Sequence, residues 1–222
     1  MTTMREESVK CAVCGKSSRH EFLMSTNAFG SRDLDFRPPE MQRSTMRLWV
    51  QECPYCGYVA GDISDQCRVD REWLASEQYV RCNGHAFRSP LARRFYKHYM
   101  LCFKSHRKEE AFYAMLHAAW SCDDAGDDVM AKGCRKTAAA LAESLLAGGE
   151  AEDKEHMTLI RADLLRRSGQ FDRLLSEYAE CRLSDEMGNR VIAFQLDKAR
   201  EEDVDRYRMF DVVDPLAALL DE

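Results

Sequence analysis

Two short stretches decide how this chain folds: Cys11-Ala12-Val13-Cys14-Gly15 and Cys53-Pro54-Tyr55-Cys56-Gly57. Both read C-x-x-C-G. Two residues between cysteines let both sulfurs of one tight turn face a common ion. The glycine that follows tolerates a positive φ and leaves backbone N–H groups free to point at thiolate sulfur. Two such turns supply four thiolates, the closed tetrahedral set of a structural zinc, with no position left open for a substrate. The expectation is therefore one structural zinc ion on Cys11, Cys14, Cys53 and Cys56. A four-cysteine set does not by itself exclude iron. A thioredoxin-like redox pair would need one C-x-x-C ahead of a helix in a βαβ setting, a pattern absent here. The 38 residues between Cys14 and Cys53 fit a hairpin ribbon with an inserted loop.

The rest of the chain reads differently. Residues 1–62 hold the two cysteine turns and short β-prone stretches, Phe22-Leu23-Met24 and Leu48-Trp49-Val50. Between these, Asn27 to Glu40 contains Gly30, Pro38 and Pro39 and reads as a loop. From about Ser64 the apolar residues recur with helical spacing. Helices are expected at about 64–82, 89–105, 108–125, 128–147, 151–168, 171–183 and 187–208. Ser89 is a good N-cap with Pro90 at the first helical position. Gly126, Gly148-Gly149 and Gly169 mark further breaks, with Asp127 as an N-cap. Short links between such helices imply antiparallel hairpins. The turn Leu164 to Phe171 looks like the inter-helix turn of a tetratricopeptide repeat, and Ala118 to Gly126 like a looser copy. Their glycines lie 43 residues apart, against a usual period of about 34. The expected fold is mainly α: a TPR-like antiparallel helical hairpin array (63–210) behind a small N-terminal four-cysteine zinc ribbon (1–62), with 211–222 as a tail or capping segment.

Glu52-Cys53-Pro54-Tyr55-Cys56-Gly57-Tyr58-Val59-Ala60, together with Cys11-x-x-Cys14-Gly15 and the helices that follow, resembles a family of uncharacterised bacterial proteins in which a split zinc ribbon precedes TPR-like helices. The first turn lacks the proline common at that place in the family. The resemblance implies the fold and the metal, and it implies no activity.

Composition bounds the function. Of the 222 residues, 45% are hydrophobic, enough for a real core. No apolar run reaches the length of a membrane span, and the polar N-terminus lacks a signal-peptide core, so a cytoplasmic protein with reduced cysteines is expected. The net charge of -6 is uneven. Residues 63–110 hold 10 basic and 6 acidic side chains, whereas 111–222 hold 14 and 24. An acidic helical half repels nucleic acid and anionic membrane, so a polyanion would have to use the middle of the chain.

Four further features carry candidate chemistry. Cys82, His85, His98 and Cys102 form C-x2-H-x12-H-x3-C, close to zinc-finger spacing, and make a candidate second metal set; the alternative is a buried helical stripe. Arg81 to Lys108 carries eight basic residues, no acidic one, and interleaved Phe87, Phe95, Tyr96, Tyr99 and Phe103. That is the footprint of a nucleic-acid surface, or of an amphipathic helix whose basic face meets the acidic C-terminal helices. Asp33, Asp35 and Arg37, followed by Pro38-Pro39-Glu40, form a charged loop that reads either as an interaction loop or as a solvated connector. Asp123, Asp124, Asp127 and Asp128 lack the pattern of a calcium loop and suit helix capping. Cys122, Cys134 and Cys181 fit core positions. No Ser-His-Asp pattern, phosphate loop or dinucleotide fingerprint is present, and His98, His106 and His117 are the natural acid–base groups left over. The reading this supports best is a zinc-stabilised module that binds a protein or peptide, with a nucleic-acid-associated factor as the alternative and no catalytic residue assigned.

Overall fold

The computed structural model describes residues 1–66, 68–84 and 87–213. The chain divides into two compact units. The first comprises Met1–Ala28 and Glu40–Ala131, the second Phe29–Pro39 and Lys132 onward. The division differs from a break at residue 63: the ribbon shares its unit with the first helices, and the boundary falls inside a helix.

In the first unit β1 (Thr3–Lys10) and β2 (Ser17–Ser25) pair antiparallel around the first cysteine turn, with Lys10 opposite Ser17. This hairpin is polar. Val9 is buried, whereas most other β1 and β2 side chains face solvent, and Arg19 pairs across the strands with Glu6 at 3.1 Å. β3 (Gln51–Glu52) and β4 (Val59–Ala60) pair around the second turn. Phe22–Met24 lies in β2 as expected. Leu48-Trp49-Val50 is not a strand: Arg43–Leu48 forms a 3-10 turn, and pairing begins at Gln51. The second hairpin carries the apolar payload, with Val50, Val59 and Ile63 buried.

The expected helix at 64–82 is two single turns, α1 (Arg71–Leu74) and α2 (Glu77–Val80). Asp70 and Ser76 both stand in extended backbone as N-caps, and the Ser76 hydroxyl accepts from the Tyr79 N–H, so local side-chain bonding restarts the helix. α3 (Pro90–Lys104) and α4 (Lys108–Asp124) form an antiparallel hairpin. The Ser89 hydroxyl caps α3 by accepting from Ala92 N–H, with Pro90 at the first position. Gly126 (φ +62°) ends the next turn, and the Asp127 carboxylate accepts from the N–H groups of Met130 and Arg88. The aspartates at 123–128 thus sit at a helix junction, with Asp127 as the cap. Ala92, Cys122 and Ala131 pack together beside Phe87 and Met130.

α5 (Asp128–Gly148) carries the chain into the second unit, where α6 (Lys154–Arg167), α7 (Phe171–Tyr178) and α8 (Glu186–Arg200) pack on one another. Gly169 (φ +71°) closes α6 through Gln170 N–H to Leu165 O at 2.8 Å. α8 stops at Arg200, short of 208. Glu202 takes φ +56°, Asp203 N–H bonds Lys198 O, and Asp203 is drawn to Arg166 and Tyr207. α9 (Met209–Val213) follows, and residues 214–222 of the expected capping segment lie outside the described residues.

The 29–39 segment corrects the sequence reading most. It belongs to the second unit, and Asp33, Leu34, Asp35 and Arg37 are each no more than 2% exposed. It is neither a surface loop nor a solvated connector. Leu34 N–H bonds Tyr207 O at 2.9 Å, Met209 N–H bonds Arg32 O at 2.8 Å, and the Phe36 ring lies 4.0 Å from that of His156. The charges are matched from far along the chain: Arg167 stands 3.8 Å from Asp35 and Arg206 3.9 Å from Asp33. Burial, aided by the charge of Asp163, pushes the Asp35 carboxyl up to about 6, against the pull of Arg167 and Arg135.

Candidate metal centre

The two cysteine turns are built alike. In each, the first cysteine donates its N–H to the carbonyl five residues on, Cys11 to Lys16 at 2.9 Å and Cys53 to Tyr58 at 2.8 Å. In each, the glycine N–H returns to the first cysteine's carbonyl at 2.9 Å. Gly15 (φ +70°) and Gly57 (φ +72°) take the left-handed backbone this requires. The turns cap the tips of the two hairpins, and Ala12 N–H to Ile63 O at 2.9 Å ties the first to the end of the second.

This brings four sulfurs together from opposite ends of the ribbon. Cys11 Sγ lies 3.7 Å from Cys56 Sγ and Cys14 Sγ 3.6 Å from Cys53 Sγ, with all four within 4.8 Å of one another. A tetrahedral ion with metal–sulfur bonds of about 2.3 Å needs sulfur–sulfur separations of about 3.8 Å. The donor set fits such an ion. Cys11 and Cys53 are buried, Cys14 and Cys56 partly exposed. Backbone N–H groups aim at the sulfurs: Lys16 N–H on Cys14 brings that thiol down to about 7. Burial pushes Cys11 and Cys56 up, against backbone N–H groups of Cys14 and Val13 on the one and of Tyr58 on the other. A metal ion bound here would supply the charge that turns all four into thiolates.

Four thiolates around a divalent ion carry a net charge of minus two, and a buried cation lies against the second turn. Lys97 of α3 is 2% exposed, and its Nζ would stand 3.3 Å from a Cβ placed on Gly57. It pairs with Glu52 and lies 5.2 Å from the centre of the Tyr79 ring, whose hydroxyl donates to Gly57 O at 2.7 Å. Arg94 also reaches this edge, donating to Val50 O at 3.3 Å and standing 3.8 Å from Glu52. Two of the basic residues of the 81–108 segment therefore serve the ribbon, through Glu52. Sequence reading missed this role of Lys97 and Glu52; the adjacency of Glu52 to Cys53 is the one hint it offered.

No family model, curated protein or solved structure matches the chain. The metal assignment accordingly stands on the four-sulfur geometry.

The second candidate set is only partly assembled. His98 and Cys102 come together, with Glu110 as a third neighbour that spacing had not suggested. Cys82 is in no cluster of candidate ligands among the described residues and directs its thiol to Gln78 O. His85 lies outside the described residues. Burial holds the His98 imidazole down at about 4, helped by Arg107, and pushes the Cys102 thiol up to about 12. His117 sits among rings, 4.9 Å from Trp120, 5.1 Å from Trp49 and 5.2 Å from Phe95, as a core packing residue. His106 is exposed in the α3–α4 turn. Cys122 and Cys134 are buried and Cys181 partly so. No helix among the described residues is long and apolar enough to cross a membrane.

Proposed function

We propose that this is a zinc-stabilised protein-interaction module of TPR-like helical hairpins, working in the cytoplasm. Zinc is the ion of choice for a closed four-thiolate cage without redox work; iron is the alternative, and its visible absorption would reveal it. The closed cage leaves no open coordination position, which argues for stabilisation over chemistry at this metal.

One observation carries the interaction reading. Tyr96, Tyr99 and Phe103 form a ladder of rings along α3 with centroids 5.7 and 5.7 Å apart, extended by Phe87 just ahead of the helix at 5.4 Å from Tyr96. Tyr96 and Tyr99 are partly exposed and Phe103 is 54% exposed. Aromatic rings presented on a rigid helix are the residues that anchor protein partners. The nucleic-acid alternative rests on the same rings flanked by basic residues. Several of those cations are paired with acidic groups: Arg81 with Glu77, Arg107 with Glu110, and Lys97 with Glu52. That pairing favours a protein ligand.

Affinity capture from native cells, with Phe103→Asp in parallel, tests this. A partner held by the full chain should bind the variant weaker by about 2 kcal/mol, roughly thirtyfold. Equal capture of every protein by both chains would remove the ladder from the account. A salt-sensitive shift of labelled single-stranded RNA would move it to the alternative.

A further inference from the structure

The cluster of candidate ligands outside the ribbon lies on the α3–α4 hairpin. His98 and Cys102 are four residues apart and share one face of α3. Glu110 comes from the first turn of α4. The connection between them is tight. Ser105 N–H bonds Leu101 O at 3.0 Å, Arg107 N–H bonds Cys102 O at 2.9 Å, and His106 takes φ +59°. The chain thus reverses within three residues and lays the start of α4 against the end of α3. One ligand atom from each of the three side chains lies within 4.8 Å of the others.

Arg107 aims the carboxylate. Its Nε donates to Ser105 Oγ at 3.0 Å and its Nη1 to Glu110 Oε2 at 2.5 Å. A carboxylate held by one oxygen still offers the other as a ligand. Such a group behind a metal-binding side chain orients it. Cys102 is fully buried, His98 partly, and Glu110 is exposed, so the set is rooted in the core and open at one side.

We propose that His98, Cys102 and Glu110 bind a second divalent transition-metal ion of the zinc class, with solvent in the fourth position. The donor types select the ion. Imidazole nitrogen, thiolate sulfur and carboxylate oxygen together suit zinc or cobalt, whereas calcium and magnesium take oxygen shells. Thiolate and carboxylate carry two negative charges, which neutralise the ion. Bonds of about 2.0–2.3 Å put ligand atoms about 3.3–3.8 Å apart. The set therefore closes on an ion by a movement of about 1.5 Å or less, which the exposed Glu110 can supply. On binding, the Cys102 thiol proton leaves to solvent. A site of three protein ligands and one open position differs in kind from the closed ribbon cage.

Cobalt titration of the reduced, metal-stripped full chain tests this. The wild type should take two equivalents of Co2+, one with the intense absorption of a four-thiolate shell and one with the weaker charge-transfer band of a single thiolate. Cys102→Ala and Glu110→Ala should keep the four-thiolate spectrum and bind the second equivalent weaker by at least about tenfold. Cys53→Ala/Cys56→Ala should lose the four-thiolate spectrum and keep the other, which separates this site from the ribbon. A wild type that takes a single equivalent, or a Glu110→Ala chain with unchanged second-site affinity, overturns the proposal. Should Cys102→Ala lose its helical circular dichroism, the exposed Glu110 variant decides alone.

Discussion

Cys53→Ala/Cys56→Ala should unfold the ribbon and spare the helices. The ribbon hairpin β1–β2 buries little beyond Val9, and a two-stranded hairpin alone is marginal in water. On the proposed reading an ion fixes it, and such binding supplies about 10–16 kcal/mol in small structural sites. With two of four sulfurs gone, that term collapses. The amides of Cys11, Gly15, Cys53 and Gly57, all bonded within the turns, should lose hydrogen-exchange protection by at least about a thousandfold. Peptides from α3 and α4 should keep theirs, because Phe95, Leu101, Phe112 and Leu116 hold that hairpin by burial. Protection of the turns equal to wild type would mean that they fold without metal.

Arg166→Met should be the most damaging single change in the second unit. Arg166 is fully buried. Its guanidinium donates to Gln195 Oε1 at 2.5 Å, Asp203 O at 2.9 Å and Asp163 Oδ1 at 2.9 Å, and it lies 5.2 Å from the centre of the Tyr207 ring. Gln195 Nε2 also donates to Asp163 Oδ1, at 3.1 Å. Methionine replaces the stem and removes the charge, leaving Asp163 buried without its cation. Breaking a buried pair this way costs about 3–5 kcal/mol. With two units, one midpoint does not report this loss cleanly, and Trp49, Trp73 and Trp120 all fall in the first unit. Exchange protection of α6 and α8 peptides is the suitable measure, and it should fall by about two to four orders of magnitude. Arg166→Met combined with Asp163→Leu and Gln195→Leu should recover most of it, since an apolar set of similar volume bears no uncompensated charge.

Local chemistry was legible in the sequence where one residue type has one job. Gly15 and Gly57 take positive φ behind their cysteines, Ser89 and Pro90 open α3, and Gly126 and Gly169 close helices as expected. The errors come from pairings across long separations. Asp33, Asp35 and Arg37 read as solvated because their charges are visible and their partners are not: Arg167 and Arg206 lie more than a hundred residues away. Arg94 and Lys97 read as part of a surface stripe until Glu52 is placed beside them. Glu110 escaped notice because zinc-finger spacing drew attention to Cys82 and His85, upstream of His98, whereas the α3–α4 turn brings the third neighbour from downstream. The helix at 64–82 failed for a different reason: Asp70 and Ser76 both stand in extended backbone inside a helical apolar pattern, and the Ser76 hydroxyl caps a new turn by accepting from Tyr79 N–H.

Under the zinc-cage proposal one ion, enclosed by the sulfurs of Cys11, Cys14, Cys53 and Cys56, holds the ribbon. X-ray absorption at the zinc edge, recorded on Cys102→Ala protein purified without added metal, tests that most directly because it leaves the ribbon as the thiolate site. The expected result is one zinc per chain with four sulfur neighbours at about 2.3 Å. A chain without stoichiometric metal, or an ion surrounded by nitrogen and oxygen, would contradict it.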